Sequence, residues 1–248
     1  MCAGLYRPLL DRLGPGISVV ASDARGHGAT TLPADPAALT SWDIFADDLA
    51  ALLATFPARR VVLAGHSMGA TVSLALAARL GERVAGVVMI EPAFVPLAVA
   101  PSYQRDAFPN PMAHQAERRR GVWPSRAALR DAYRGRGVFA TWADRDLDAY
   151  LVGGVRDRAG GEVELACAPA YEAATFAAVS TTVAADLAAY RGPIALLHGT
   201  ERSTVMPADA ATFAARPATT VQCFTGADHF MPLAEPDAMA AAIVRLVN

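Results

Sequence analysis

Gly65-His66-Ser67-Met68-Gly69 is the segment of this sequence whose residue types and spacing could do chemistry. The apolar run Arg60-Val-Val-Leu-Ala64 precedes it and an Ala/Leu-rich stretch to about Leu80 follows. The pentapeptide is therefore predicted to be the turn between a buried strand and a helix. A serine on such a turn sits on strained backbone with its hydroxyl raised above the strand end, and small residues two positions to either side leave room for the bend. The N-terminus of the next helix favours negative charge developing nearby. Nucleophilic attack by Ser67 is the chemistry this points to; a serine that merely completes a tight turn is the alternative.

A serine so placed needs a sheet to stand on. Ile17 to Ser22 is a short β-rich run ending in the turn residues Asp23-Ala-Arg-Gly-His-Gly28. Ser41 is placed to cap a helix through Phe56, in which Ile44, Phe45, Leu49, Leu52 and Leu53 recur at helical spacing. Further strands are predicted at Val84 to Ile90, Ile194 to His198 and Thr220 to Phe224, with a closing helix from Asp237 to Val247. Strands that are apolar throughout and alternate with helices imply an α/β fold, a mostly parallel sheet with helices on both faces. From about Ala93 to Tyr190 the rhythm is lost. Trp123, Trp142 and several tyrosines and phenylalanines fall there, and the region is expected to be a mainly helical insertion. Its arginine triplet, Arg118 to Arg120, suits either a substrate carboxylate or a solvated helix face.

Composition narrows the function classes. The 248 residues are 53% hydrophobic and 19% charged, enough to bury a substantial core. The 22 basic residues are all arginine and face 24 acidic ones, a net charge of −2. That balance argues against nucleic-acid or anionic-membrane partners, and the lack of lysine excludes Schiff-base and Walker-type mechanisms. Cys2, Cys167 and Cys223 form neither a disulfide framework nor a thiolate metal site at these spacings. No run of about 18 apolar residues and no basic-then-apolar leader is visible, so a soluble, cytoplasmic protein is expected. No metal cluster and no dinucleotide fingerprint occurs, and no cofactor is expected. Oligomeric state is not legible.

With its elbow, the Asp23 to Gly28 turn and Gly226-Ala-Asp-His-Phe-Met-Pro232, the sequence resembles the α/β-hydrolase family over nearly its whole length. The resemblance implies a core at 1–92 and 191–248 and a cap at 93–190. It implies Ser67 as nucleophile and His229, which follows a strand in a Gly-led loop, as general base. His66 and His27 then serve their turns, His198 packs at a strand end, and His114 is unassigned. The Met68 amide becomes one oxyanion donor. The triad acid departs from the commonest pattern: three residues after Gly199 stands Arg202, with Glu201 one place early. A second position used in the family, the end of the strand after the elbow helix, holds Glu91, which is preferred over Glu201. A dyad without an acid is the remaining possibility. Met1 to Leu10 resembles the loop into the first helix, so strands that should precede it are missing. The expectation is a longer natural chain, with Met1 or Cys2 near the second oxyanion position; the alternative is that the strands at 17–22 and 60–64 pair directly. The implied activity on a small-molecule substrate is hydrolysis of an ester, thioester or lactone through an acyl-serine, with carbon–carbon cleavage also open. A cofactor-free oxygenase or lyase and a silent ligand-binding member are the competing readings.

Overall fold

The computed structural model describes residues 1–57, 60–105, 107 and 110–247. Its contacts divide the chain into two units. One comprises Leu9–Ser18, Ser41–Phe108 and Ala178–Asn248, and the other Met1–Pro8, Val19–Thr40 and Pro109–Ala177.

The first unit is built on four parallel strands: β1 (Val61–His66), β2 (Val84–Ile90), β3 (Ile194–Glu201) and β4 (Thr219–Asp228), hydrogen-bonded in that order. The register sets His66 of β1 and Leu197 of β3 on either side of Ile90 of β2. Sandwiched strands lose water on both faces, and β2 accordingly buries Val87, Val88 and Met89 completely. On one face Val88, Ile90, Ala195 and Leu197 join Met239, Ala240 and Ile243 of the closing helix in a common core. Strand alternation leaves Val87 and Met89 for the opposite face. The edge strand β4 is correspondingly polar, exposing Thr220 and Gln222. Helices α1 (Asp43–Ala54), α2 (Met68–Leu80), α3 (Val183–Ala189), α4 (Pro207–Ala214) and α5 (Pro236–Val247) belong to this unit, with a single turn of helix at Met231–Ala234. Helix α2 packs on β1, β2, α1 and α3, while α5 packs on β2 and β1.

The strand at Val84–Ile90 has the expected bounds, and the other predicted elements that form have shifted ends. Ser41 lies one residue outside the cap position and accepts the Asp43 amide through its hydroxyl at 3.2 Å. Strands β3 and β4 run on to Glu201 and Asp228, beyond their apolar stretches, through an irregular register after Gly199. The strand expected over Ile17 to Ser22 does not form: among the described residues this segment joins no ladder, and Val19 and Val20 are exposed. β-rich composition cannot make a strand without a partner for its amides and carbonyls.

In the second unit the helices Pro111–Glu117, Arg126–Tyr133, Asp144–Gly153 and Pro169–Ala177 accompany a small antiparallel sheet, in which Val163–Leu165 lies between Val122–Trp123 and Val155–Asp157. Strands this short leave no periodic signal, and the sequence did not announce them. The aromatic residues fill the core here: Tyr133 stacks on Phe139 at 4.6 Å, and Phe139 meets Trp142 at 4.9 Å and Tyr150 at 5.4 Å. Arg119 of the triplet is engaged by Glu172 and donates to Tyr133 Oη at 2.7 Å. Arg120 lies over the Trp123 ring. In the Asp23 to Gly28 turn, the Asp23 carboxylate accepts the amides of Ala3 and Ala29, at 2.6 and 2.8 Å. His27 donates from Nδ1 to the Arg25 carbonyl at 3.0 Å, and burial pushes it down to about 4. His27 thus remains neutral and holds its turn.

Candidate active site

Strand β1 hands over to α2 in one residue. Ser67 takes φ 56° and ψ −124°, a left-handed conformation unusual for a non-glycine residue. Its amide donates to the Ile90 carbonyl at 3.0 Å, extending the β1–β2 pairing, while its own carbonyl accepts Ala70 and Ala93. Its hydroxyl makes no capping bond. The bend is so tight that a Cβ on Gly65 would collide with the Gly69 carbonyl. Met68 begins the helix, where the first amides have no intrahelical acceptor, so its N–H is available to an anion above Ser67.

Glu91 follows the last residue of the neighbouring strand, also at positive φ, 44°. It is fully buried. Its Oε1 accepts the Gly199 amide at 2.6 Å and the Ser203 hydroxyl at 2.8 Å. Its Oε2 accepts the amide and hydroxyl of Thr204, at 2.9 and 3.1 Å, and His229 Nδ1 at 3.3 Å. Burial pushes this carboxyl up, but the bonds from His229, Gly199, Thr204 and Ser203 outweigh it and hold it at about 2. Gly199 has to be glycine, because a Cβ there would strike the Ala227 carbonyl.

The contact with Glu91 decides which nitrogen of His229 carries the proton. An ionised carboxylate only accepts, so Nδ1 donates and Nε2 keeps its lone pair. The flanking residues fix the loop. Asp228 accepts the Phe230 amide at 2.8 Å and pairs with Arg202 at 2.7 Å. The His229 carbonyl accepts a bond from His66 Nε2 at 2.7 Å. Burial and the adjacent His229 push His66 down to about 3, against the hydrogen bond to that carbonyl.

The structure therefore brings Glu91 and His229 together. Among the described residues no hydrogen bond joins the Ser67 hydroxyl to His229. Glu201 is exposed and lies opposite Asp228 in the β3–β4 pairing, without a bond to His229. Arg202, where the commonest family pattern has its acid, serves Asp228. Ser203, Thr204 and the Gly199 amide were not anticipated as the carboxylate's holders; nothing in their local sequence signals it. Among the described residues no group of three or more His, Cys, Asp or Glu side chains could hold a metal ion, and no helix is long and apolar enough to cross a membrane.

This geometry coincides with a family match. Residues 2–242 match the alpha/beta hydrolase family, and the chain belongs to it. A stretch of 91 residues is 34% identical to 2-(acetamidomethylene)succinate hydrolase from Mesorhizobium japonicum, spanning 36% of this chain and 31% of that protein. The crystal structure of E-2-(acetamidomethylene)succinate hydrolase superposes with a TM-score of 0.82 at 24% identity, over 99% of this chain and 87% of that one. An esterase from Mycobacterium tuberculosis gives 0.76 at 17% identity, over 100% and 80%. At these identities the two structures establish the shared fold.

Proposed function

We propose that the chain is a serine hydrolase acting on an ester, thioester or lactone. The observation that carries this reading is the buried, fully hydrogen-bonded Glu91 carboxylate on Nδ1 of His229, beside an elbow that presents Ser67. Ser67 Oγ attacks the acyl carbon as His229 Nε2 takes its proton, and Glu91 stabilises the imidazolium. The Met68 amide donates to the oxyanion, a contact of a kind worth about 10²–10³ in kcat. Collapse returns the proton to the leaving group and leaves acyl-Ser67. Water, deprotonated by the same nitrogen, releases the acid and restores the Ser67 hydroxyl. The names hydrolase and esterase among similar proteins support hydrolysis as the reaction class.

The test is turnover of p-nitrophenyl acetate and butyrate together with labelling by a fluorophosphonate. Turnover abolished in Ser67→Ala, with one equivalent of label on Ser67 in the unsubstituted protein, is the expected result. Turnover without labelling would favour an enzyme in which Ser67 only positions its substrate. Neither turnover nor labelling would favour a binding protein.

A further inference from the structure

Three groups meet at the His229 main chain and side chain: Glu91 on Nδ1, the Asp228–Phe230 turn at its flanks, and His66 on its carbonyl. The first belongs to the mechanism above and the second closes the loop on itself. The third is different in kind. His66 is the residue immediately before the nucleophile, and its ring lies 4.7 Å from the His229 ring, centroid to centroid. A carbonyl oxygen only accepts, so His66 Nε2 carries a proton and donates it into the 2.7 Å bond.

We infer that His66 is a positioning residue for the general base, its Nε2–H fixing the His229 peptide relative to the elbow that carries Ser67. This rests on the reading of His229 as base. The bond joins two places 163 residues apart in sequence through the one strand end that also holds the nucleophile. Any shift of the elbow is thereby shared by the base. The alternative links are longer: from Ser67 through β2 to Glu91, and from there to the imidazole. The low proton affinity of His66 fits the task, since a neutral ring puts no positive charge beside the imidazolium that forms on His229.

Two substitutions separate this role from space filling. The amide nitrogen of glutamine reaches about as far as Nε2 of histidine, whereas that of asparagine matches only Nδ1 and falls short. His66→Asn is expected to lower kcat for p-nitrophenyl butyrate about 10–100-fold with KM within about twofold, the pattern of a misplaced catalytic group. His66→Gln is expected to recover most of that loss. Rates are referred to folded protein, checked by circular dichroism and urea midpoint, and His66→Met supplies the donor-free arm should the asparagine variant not fold. Equal kcat in His66→Gln and in His66→Asn, or in His66→Met where that arm is used, overturns the proposal, and so does a loss confined to KM. His229→Ala and Ser67→Ala run alongside. If either retains turnover, the underlying assignment of base or nucleophile has failed. If both are inactive and the His66 variants match one another, only the positioning role has failed.

Discussion

His229 Nδ1 lies 3.3 Å from Oε2 of Glu91, and among the described residues that carboxylate has no cationic side chain as a further hydrogen-bond partner. Two amides and two hydroxyls hold it instead. A carboxylate held by neutral dipoles stays ionised without a competing positive charge. Its field is then free to favour an imidazolium, while its hydrogen bond fixes the tautomer that leaves Nε2 available. The positive φ of Glu91 and of Ser67 places conformational strain at both strand ends that build the site.

Glu91→Gln tests the pair directly. The amide keeps the shape but loses the charge, and its NH2 group must face the Gly199 or Thr204 amide, or else His229. A fall of about 10³–10⁴ in kcat is expected, as for triads whose acid becomes an amide. The buried mispairing should cost about 1–3 kcal/mol in urea unfolding. Glu201→Gln, on an exposed side chain, should leave kcat within about threefold. The reverse pattern would move the acid to Glu201.

Acid sensitivity follows from the same groups. The Glu91 carboxyl falls from an ordinary 4.5 to about 2 on folding, so its contribution is complete above about pH 4.5 and is lost as pH drops toward 2. For a buried group this is worth roughly 3 kcal/mol. His66, lowered from 6.5 to about 3, and His27, lowered to about 4, act at higher pH. Each prefers to stay neutral when folded, so stability is full above about pH 6.5 and declines below it. Urea midpoints measured from pH 7.5 to 4 should fall from about 6.5 downward, and less so in His66→Gln. A flat profile between pH 7 and 5 would contradict the burial of neutral histidines.

How far the sequence disclosed this arrangement depends on the range of the interactions. The elbow and β2 are local facts, an apolar run and its flanking residues, and both lie where the sequence puts them. Glu91 could be nominated from its place at a strand end. Its partners could not, because Ser203 and Thr204 reach it from 112 and 113 residues away. The run at Ile17 to Ser22 has the composition of a strand and fails for want of a partner, which composition does not report. His66, at the variable position of the elbow motif, reads as filler for the same reason: what it touches lies 163 residues away in the chain.

The two glycines of the elbow, equivalent in the motif, should respond differently to alanine. A Cβ at Gly65 meets the backbone of Gly69 and Ala70, neither of which can yield without moving the start of α2. A Cβ at Gly69 meets nothing within 4 Å and lies in a helix, where alanine is favoured by up to about 1 kcal/mol. Gly65→Ala is therefore expected to lower the melting temperature and abolish fluorophosphonate labelling. Gly69→Ala should be as stable as the parent or more so. Equal melting temperatures for the two variants would mean that the turn is looser than this packing implies.

Ser67 itself should be replaceable at a gain in stability. Its hydroxyl caps nothing, so Ser67→Ala removes no hydrogen bond and keeps the same φ of 56°. Stability should be unchanged within about 0.5 kcal/mol, as for substitutions outside the destabilising mechanisms. Ser67→Gly relieves a left-handed backbone that costs about 1–3 kcal/mol in other residues, offset in part by the greater freedom of glycine in the unfolded chain. A net gain of about 1 kcal/mol is expected, read as an increase in the urea midpoint of the glycine variant over the alanine variant. Both variants should be inactive. The difference between them measures the strain held in the backbone of Ser67, separately from its hydroxyl. If the glycine variant is no more stable than the alanine variant, the strain at the elbow is no larger than the about 0.4–1 kcal/mol that the freedom of glycine in the unfolded chain costs.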